Sequence, residues 1–121
     1  MDYSDFMPYI DVKGGLARLM NNPKFYARML KTYLASMNMD YYDEMAKYLA
    51  AGEFETAREK IHAFKGTSSN LSIAKNYDIS RDLEAIAKEH GDYAAKLEEL
   101  RVSMEATIPE INRLIALFEG A

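Results

Sequence analysis

Cysteine is absent from this chain, and with it go disulfide scaffolds, thiol catalysis, iron–sulfur clusters and Cys-based zinc sites. Basic charge is not in excess: Lys and Arg number 15 against 19 Asp and Glu, a net charge of −4, so no global field draws the chain to nucleic acid. No stretch approaches the ~20 apolar residues of a membrane span, and the opening Met1-Asp2-Tyr3-Ser4-Asp5 is acidic where a secretory signal would be basic. A cytoplasmic protein without membrane or nucleic-acid partners is expected. Proline and glycine are scarce too, at 3 and 6 residues, leaving long stretches free to form helices. What remains is ordinary for a globular protein, with 49% hydrophobic and 28% charged residues. A length of 121 residues suits a single domain with one core, spanning residues 1–121.

Within those stretches apolar residues recur at i, i+3, i+4 and i+7, which predicts an all-α chain. A first short helix enters through Asp11-Val12-Lys13 and carries Leu16, Leu19 and Met20. Asn22 as N-cap and Pro23 in the first turn begin a second helix toward Ser36, with Phe25, Met29, Leu30, Tyr33, Leu34 and Met37 inward. A third spans about Asp40 to Ala51 and stops at Gly52; a fourth spans about Phe54 to Leu71, its buried stripe being Phe54, Ala57, Ile61, Phe64, Ser68 and Leu71. The fifth, marked by Ile73, Ile79, Leu83, Ile86 and Ala87, ends at His90-Gly91 with Gly91 as the left-handed cap. Asp92 caps the last, from Tyr93 onward, where Thr107-Ile108-Pro109-Glu110 has the form of a capping box and predicts a kink or a fresh helical start. Short connections between such helices predict an antiparallel four-helix bundle with small N-terminal helical pieces covering one end.

Chemistry rests on few side chains. Of the two histidines, His90 falls in the last turn of a helix, where imidazolium complements the dipole. His62 falls mid-helix, roughly opposite the stripe of Ala57, Phe64 and Leu71, and is predicted to face solvent among Glu55, Arg58, Glu59, Lys65, Gly66 and Ser69. A lone exposed histidine is by default a solvated surface residue. Gly66 disturbs that default, because glycine inside a helix costs roughly 0.5–1 kcal/mol relative to alanine. A gap in the side chains beside an exposed imidazole admits another macromolecule, and Lys65 sets a positive charge at the same spot. Free imidazole, with a pKa near ~6.5, is largely neutral and nucleophilic at cytosolic pH. Nucleophile, cation and access together suit the handling of a phosphoryl group.

The segment Ile61-His62-Ala63-Phe64-Lys65-Gly66-Thr67-Ser68-Ser69-Asn70-Leu71-Ser72 resembles the signature of histidine phosphotransfer (HPt) domains: His-x-hydrophobic-Lys-Gly, small residues, then Asn-Leu-Gly. The likeness continues in Gly15-Leu16-Ala17-Arg18-Leu19 near the start, in the Ala51-Gly52-Glu53 turn and in the Leu83-Glu84 pair, covering about Asp11 to Gly91. Two positions depart from the family pattern: Ser72 stands for the usual Gly, and Asn76 where the family tends to have Leu. The resemblance implies that His62 accepts a phosphoryl group from the aspartyl phosphate of a receiver domain and passes it to another receiver. Lys65 would stabilise its oxygens, and Gly66 would allow docking. Ser69, Asn70, Arg58 and Glu59 would belong to the receiver-facing surface, with Ser69 and Asn70 serving equally well as packing residues. It also implies a monomer that carries no cofactor of its own, Mg²⁺ being supplied by the partner receiver domain.

Two rivals compete. Glu59-Lys60-Ile61-His62 has the Glu-x-x-His spacing of di-iron bundles, but a second copy is missing, since Ala87 stands three residues before His90. A non-catalytic helical adaptor would explain the wealth of tyrosine and methionine, yet those residues serve as core and rim, and an adaptor has no use for Gly66. An ATP-dependent kinase would require a Gly-rich phosphate loop, which the sequence does not contain.

Overall fold

The computed structural model of the protein describes residues 2–120, and their regular structure is all helical. A 3-10 turn at Ser4–Phe6 precedes α1 (Val12–Arg18), α2 (Pro23–Ser36), α3 (Met39–Ala50), α4 (Phe54–Asn70), α5 (Ala74–Lys88) and α6 (Ala94–Glu119). Short polar side chains start the first three helices by accepting from an otherwise orphaned backbone N–H: Asp11 from Gly14, Asn22 from Phe25 and Asn38 from Tyr41. The apolar stripes then bring the helices together, α4 along α5, α2 and α5 against α6, and α3 against α4 and α6. Ile61 and Phe64 of α4, Leu83 of α5 and Leu100, Ile111 and Leu114 of α6 lie in the core at 0–1% exposure. α4 buries the stripe its period predicts apart from a half-buried Phe54. On α5, Leu83 and Ala87 are buried as expected, but Ile79 and Ile86 are half-buried and Asn76 and Ser80 turn inward. Among the described residues no helix is long and apolar enough to cross a membrane.

Further local expectations are corrected. The first helix ends at Arg18, and Met20 and Asn21 lie beyond it with φ of 57° and 51°, Met20 being 79% exposed. On α2 the buried residues are Tyr26, Ala27, Leu30 and Tyr33, while Phe25, Met29, Leu34 and Met37 are only half-buried. Tyr26 wins the inward position because its hydroxyl donates to the Leu71 carbonyl and its ring fills the space left by Gly15, where a Cβ would stand 2.1 Å from that hydroxyl. At the end of α5 the left-handed residue is His90, with φ 53°, and not Gly91; Gly91 instead donates its N–H to the Ile86 carbonyl. His90 therefore stands outside the helix and stacks on Phe54, ring centroids 4.4 Å apart.

The fourth concerns Pro109, which starts no new helix: α6 runs unbroken through it. Pro109 is exposed, and so is Glu105, the residue whose carbonyl loses its donor; water can satisfy that oxygen. Thr107 is no cap, since it is buried and donates back to the Ser103 carbonyl at 2.6 Å. Nor is Asp92 the cap of α6: it lies two residues before Ala94, with Tyr93 at the N-cap position, and only accepts from the Ala94 N–H at 3.3 Å.

The two departures from the HPt pattern acquire distinct physical roles. Ser72, in the turn between α4 and α5, is buried with φ 57°, a left-handed conformation that costs a non-glycine residue roughly 1–2 kcal/mol. Its carbonyl accepts from the Asp11 N–H at 2.9 Å, a bond that any residue can make. Ser72→Gly is therefore expected to stabilise the fold by about 0.5–1 kcal/mol after the greater freedom of glycine in the unfolded chain is subtracted. Thermal unfolding reads this as a rise of a few degrees; a fall would mean that the serine hydroxyl contributes more than the backbone strain removes.

Asn76 is 2% exposed and joins a buried polar layer across four helices. The Ser103 hydroxyl of α6 donates to Asn76 Oδ1 at 2.6 Å, Asn76 Nδ2 donates to the Tyr33 hydroxyl of α2 at 3.2 Å, and that hydroxyl shares a 2.8 Å bond with Ser68 Oγ of α4. Burial pushes the Tyr33 phenol up to about 12, against the lowering effect of its two side-chain partners.

Candidate functional site

α4 places His62 where its period puts it, on the face turned from the core, and its side chain is 68% exposed. The ring is nonetheless held. Glu84 of α5 lies one residue beyond the buried Leu83, at the edge of that helix's inner face, with its side chain 14% exposed. His62 Nδ1 stands 2.9 Å from Glu84 Oε2, and Lys65 Nζ, one turn further along α4, stands 2.6 Å from Glu84 Oε1. One carboxylate thus spans both side chains. Oε1 is sealed from solvent, and its contact with the ammonium is an ion pair rather than an aligned hydrogen bond. Burial by itself raises the Glu84 carboxyl; Lys65 and His62 together outweigh it and hold the group below the ordinary glutamate range.

The Glu84 bond sets the chemistry of the imidazole. An ionised carboxylate only accepts, so the bonded Nδ1 carries a proton, and in the neutral form of the ring Nε2 is the nitrogen with the lone pair. This tautomer is assigned from the partner, as it is for any histidine whose hydrogens are inferred from its hydrogen bonds. Nε2 is then the nitrogen offered to an incoming electrophile, with the Lys65 cation beside the same ring.

Gly66 is exposed in the regular part of α4, and a Cβ built on it meets no atom within 4 Å. No contact within the fold demands glycine there, in contrast to Gly15. The remaining residues of the expected surface do not all converge. Arg58, one turn before His62, is half-buried and pairs with Glu55 at 2.6 Å; Glu59 is exposed. Ser69 lies seven residues past His62, roughly 10 Å along the helix. Its carbonyl accepts from the Arg18 guanidinium at 2.6 Å and its hydroxyl lies 3.4 Å from the same group, tying α1 to the end of α4. Asn70 is exposed at the last position of α4.

The site therefore gathers His62, Lys65 and Gly66, sets Arg58 and Glu59 on its flank, and leaves Ser69 and Asn70 at the far end of the helix. Sequence reasoning missed Glu84 as a site residue. Its signal was the Leu83-Glu84 pair, a carboxylate adjoining a core leucine, but nothing in the order of residues says which α4 side chain that carboxylate meets. The described residues hold no group of three His, Asp or Glu side chains placed to share a metal ion. No protein-family model matches the chain, and comparison with curated proteins and with solved structures returns no match.

Proposed function

We propose that the chain is a histidine-containing phosphotransfer protein, in which His62 takes a phosphoryl group from a receiver-domain aspartyl phosphate and hands it to the aspartate of another receiver. The observation that carries this reading is the exposed His62 ring with Nδ1 bonded to a half-buried carboxylate, flanked by Lys65 and by the side-chain gap of Gly66. The finer architecture belongs to the same proposal: an antiparallel four-helix bundle of α3 to α6. It is supported by contacts that close a ring, since α3 meets α4, α4 meets α5, α5 meets α6 and α6 meets α3.

Each residue has a defined part. The Nε2 lone pair forms the N–P bond while the P–O bond to the donor aspartate breaks, and the departing electron pair leaves as that carboxylate. The phosphorylated ring then carries a positive charge, with Nδ1–H still facing Glu84, whose carboxylate stabilises it. In the onward step the acceptor carboxylate attacks phosphorus, the N–P bond breaks, and the electron pair returns to Nε2 of a neutral imidazole. Had Nδ1 no proton, the leaving group would be an anion and the step far slower. Lys65, three residues beyond His62 on α4, balances charge on the transferring oxygens once it turns from Glu84 to the phosphoryl group. Alignment of the two partners provides the remainder of the rate, and Mg²⁺ belongs to the receiver. The proposal includes action as a monomer in the cytoplasm.

The test is incubation with receiver domains of the same genome, phosphorylated beforehand, followed by a search for label on this chain. The reading predicts a modification that is labile in acid and stable in base, as phosphoramidates are. Absence of label with every receiver, under conditions where the receivers themselves stay phosphorylated, would overturn it. Lys65→Ala is expected to slow transfer roughly tenfold or more at saturating receiver, as loss of a cation beside developing charge does. Helix content should change little, while the melting temperature should fall because the sealed Glu84 Oε1 loses its counter-ion; unchanged transfer kinetics would reduce Lys65 to that counter-ion role.

A further inference from the structure

The contact that defines the site, Glu84 with His62 and Lys65, joins two helices, and its geometry depends on how α5 is rolled about its own axis. The three-residue turn at 71–73 limits sliding of α5 along α4. It does not limit roll. Asn76, Ser80, Leu83 and Ala87 are buried on the inner face of α5, with Ile79 packed at its edge. Among the buried four only Leu83 is a large apolar side chain, so the non-directional apolar contacts define the roll angle less sharply than hydrogen bonds do. The carboxylate of Glu84 is less forgiving. On a helix about 10–12 Å across, a roll of about 20° carries a side-chain tip by about 2 Å, enough to break a hydrogen bond.

We propose that Asn76 is a positioning residue for this site, acting through Glu84. Its side chain is held by two bonds to two other helices, Ser103 of α6 at 2.6 Å and Tyr33 of α2 at 3.2 Å, so a roll of α5 that carries Asn76 away from either partner stretches a bond. Tyr33 in turn engages Ser68, which lies on α4 three residues beyond Lys65. The Tyr33 hydroxyl is therefore a joint to which both site-bearing helices are fastened. Asn76 and Glu84 are eight residues apart on one rigid helix, about 12 Å along its axis, so a roll set at the first is transmitted to the second. Hydrogen bonds supply the directionality that the surrounding apolar contacts lack, and a buried network of this kind is high-stakes, because each bond that is lost leaves a buried polar group unpaired. Leucine, which the HPt pattern tends to place here, would fill the space without fixing the angle.

The consequence for His62 is read without any phosphoryl transfer, so this proposal and the phosphotransfer reading on which its functional meaning rests fail separately. Long-range ¹H–¹⁵N NMR reports the tautomer and titration of the His62 ring. The reference is Glu84→Gln, in which the carboxylate partner is gone. In Asn76→Leu the His62 signals are expected to move at least half-way from their wild-type positions toward those of Glu84→Gln, with helical circular dichroism and cooperative unfolding retained. Ser103→Thr, which keeps the hydroxyl, should preserve the wild-type signature. A folded Asn76→Leu with wild-type tautomer and titration overturns the proposal, as does a Glu84→Gln whose His62 ring is unchanged. Should Asn76→Leu fail to fold, Ser103→Ala decides. It releases one side of Asn76 while leaving the core volume nearly intact; movement of the His62 signals supports the roll lock, and unmoved signals overturn it.

Discussion

Replacement of His62 by glutamine is expected to abolish phosphoryl labelling completely while leaving the fold almost untouched. The loss is total because no second nucleophile is placed to substitute: the other histidine, His90, lies outside α5 with its ring stacked on Phe54. His90→Gln should accordingly keep the label. Glutamine is the informative choice at 62 because its amide can still donate toward Glu84, sparing the half-buried carboxylate the loss of a partner. Since the His62 side chain is 68% exposed, the change in stability should fall within the roughly ±0.5 kcal/mol usual at surface positions. Labelling by a purified phosphorylated receiver and a thermal melt measure the two sides. Persistent label on the glutamine variant would move the acceptor elsewhere, and a large fall in Tm would mean that the imidazole holds α4 to α5.

The second large effect is expected at Gly66, where stability and transfer should move in opposite directions. Alanine meets no atom within 4 Å there and favours the helix, so Gly66→Ala should stabilise the protein by roughly 0.5–1 kcal/mol. Glutamine should keep most of that gain, because its side chain extends into solvent. It also projects beside His62, one turn earlier on the same face, and fills the gap through which a receiver would approach. Gly66→Gln should therefore melt no lower than the wild type, bind a receiver more weakly and transfer more slowly, with both effects well beyond tenfold if the receiver backbone passes over this position. Normal transfer would place the approach on another side of the ring. Unfolding would contradict the open space observed around the glycine and return it to a packing role.

Most of the helical architecture was readable from local chemistry. Helix starts at Asn22 and Pro23, stripes through Ala57, Ile61 and Phe64 or Leu100, Met104 and Ile111, and the outward placement of His62 all follow from caps and a period of 3.6 residues. Two of the misreadings share a cause, which is that each needed a neighbour distant in sequence. Tyr26 displaces Phe25 from the inner face of α2 because Gly15 and the Leu71 carbonyl receive it. At the end of α5 a glycine was the obvious left-handed residue by propensity, yet His90 takes that conformation, with its ring stacked on Phe54 of α4. Pro109 stays inside α6 because its exposed position lets water replace the bond it removes.

For the site the division is sharper. The residues of one helix face, His62, Lys65 and Gly66, were determined by sequence alone, because spacing along a helix is a matter of covalent geometry and pitch. That Glu84 meets two of them, and that Asn76 belongs to a polar layer rather than a plain apolar contact, was decided only when α5 was laid against α4 and α6 with Asn76 in reach of Tyr33 on α2. Periodicity states which face a helix buries, but the angle of one helix against another is set by side chains that lie far apart in the chain, and it is this angle that turns a surface histidine into a ring with one nitrogen held and the other free.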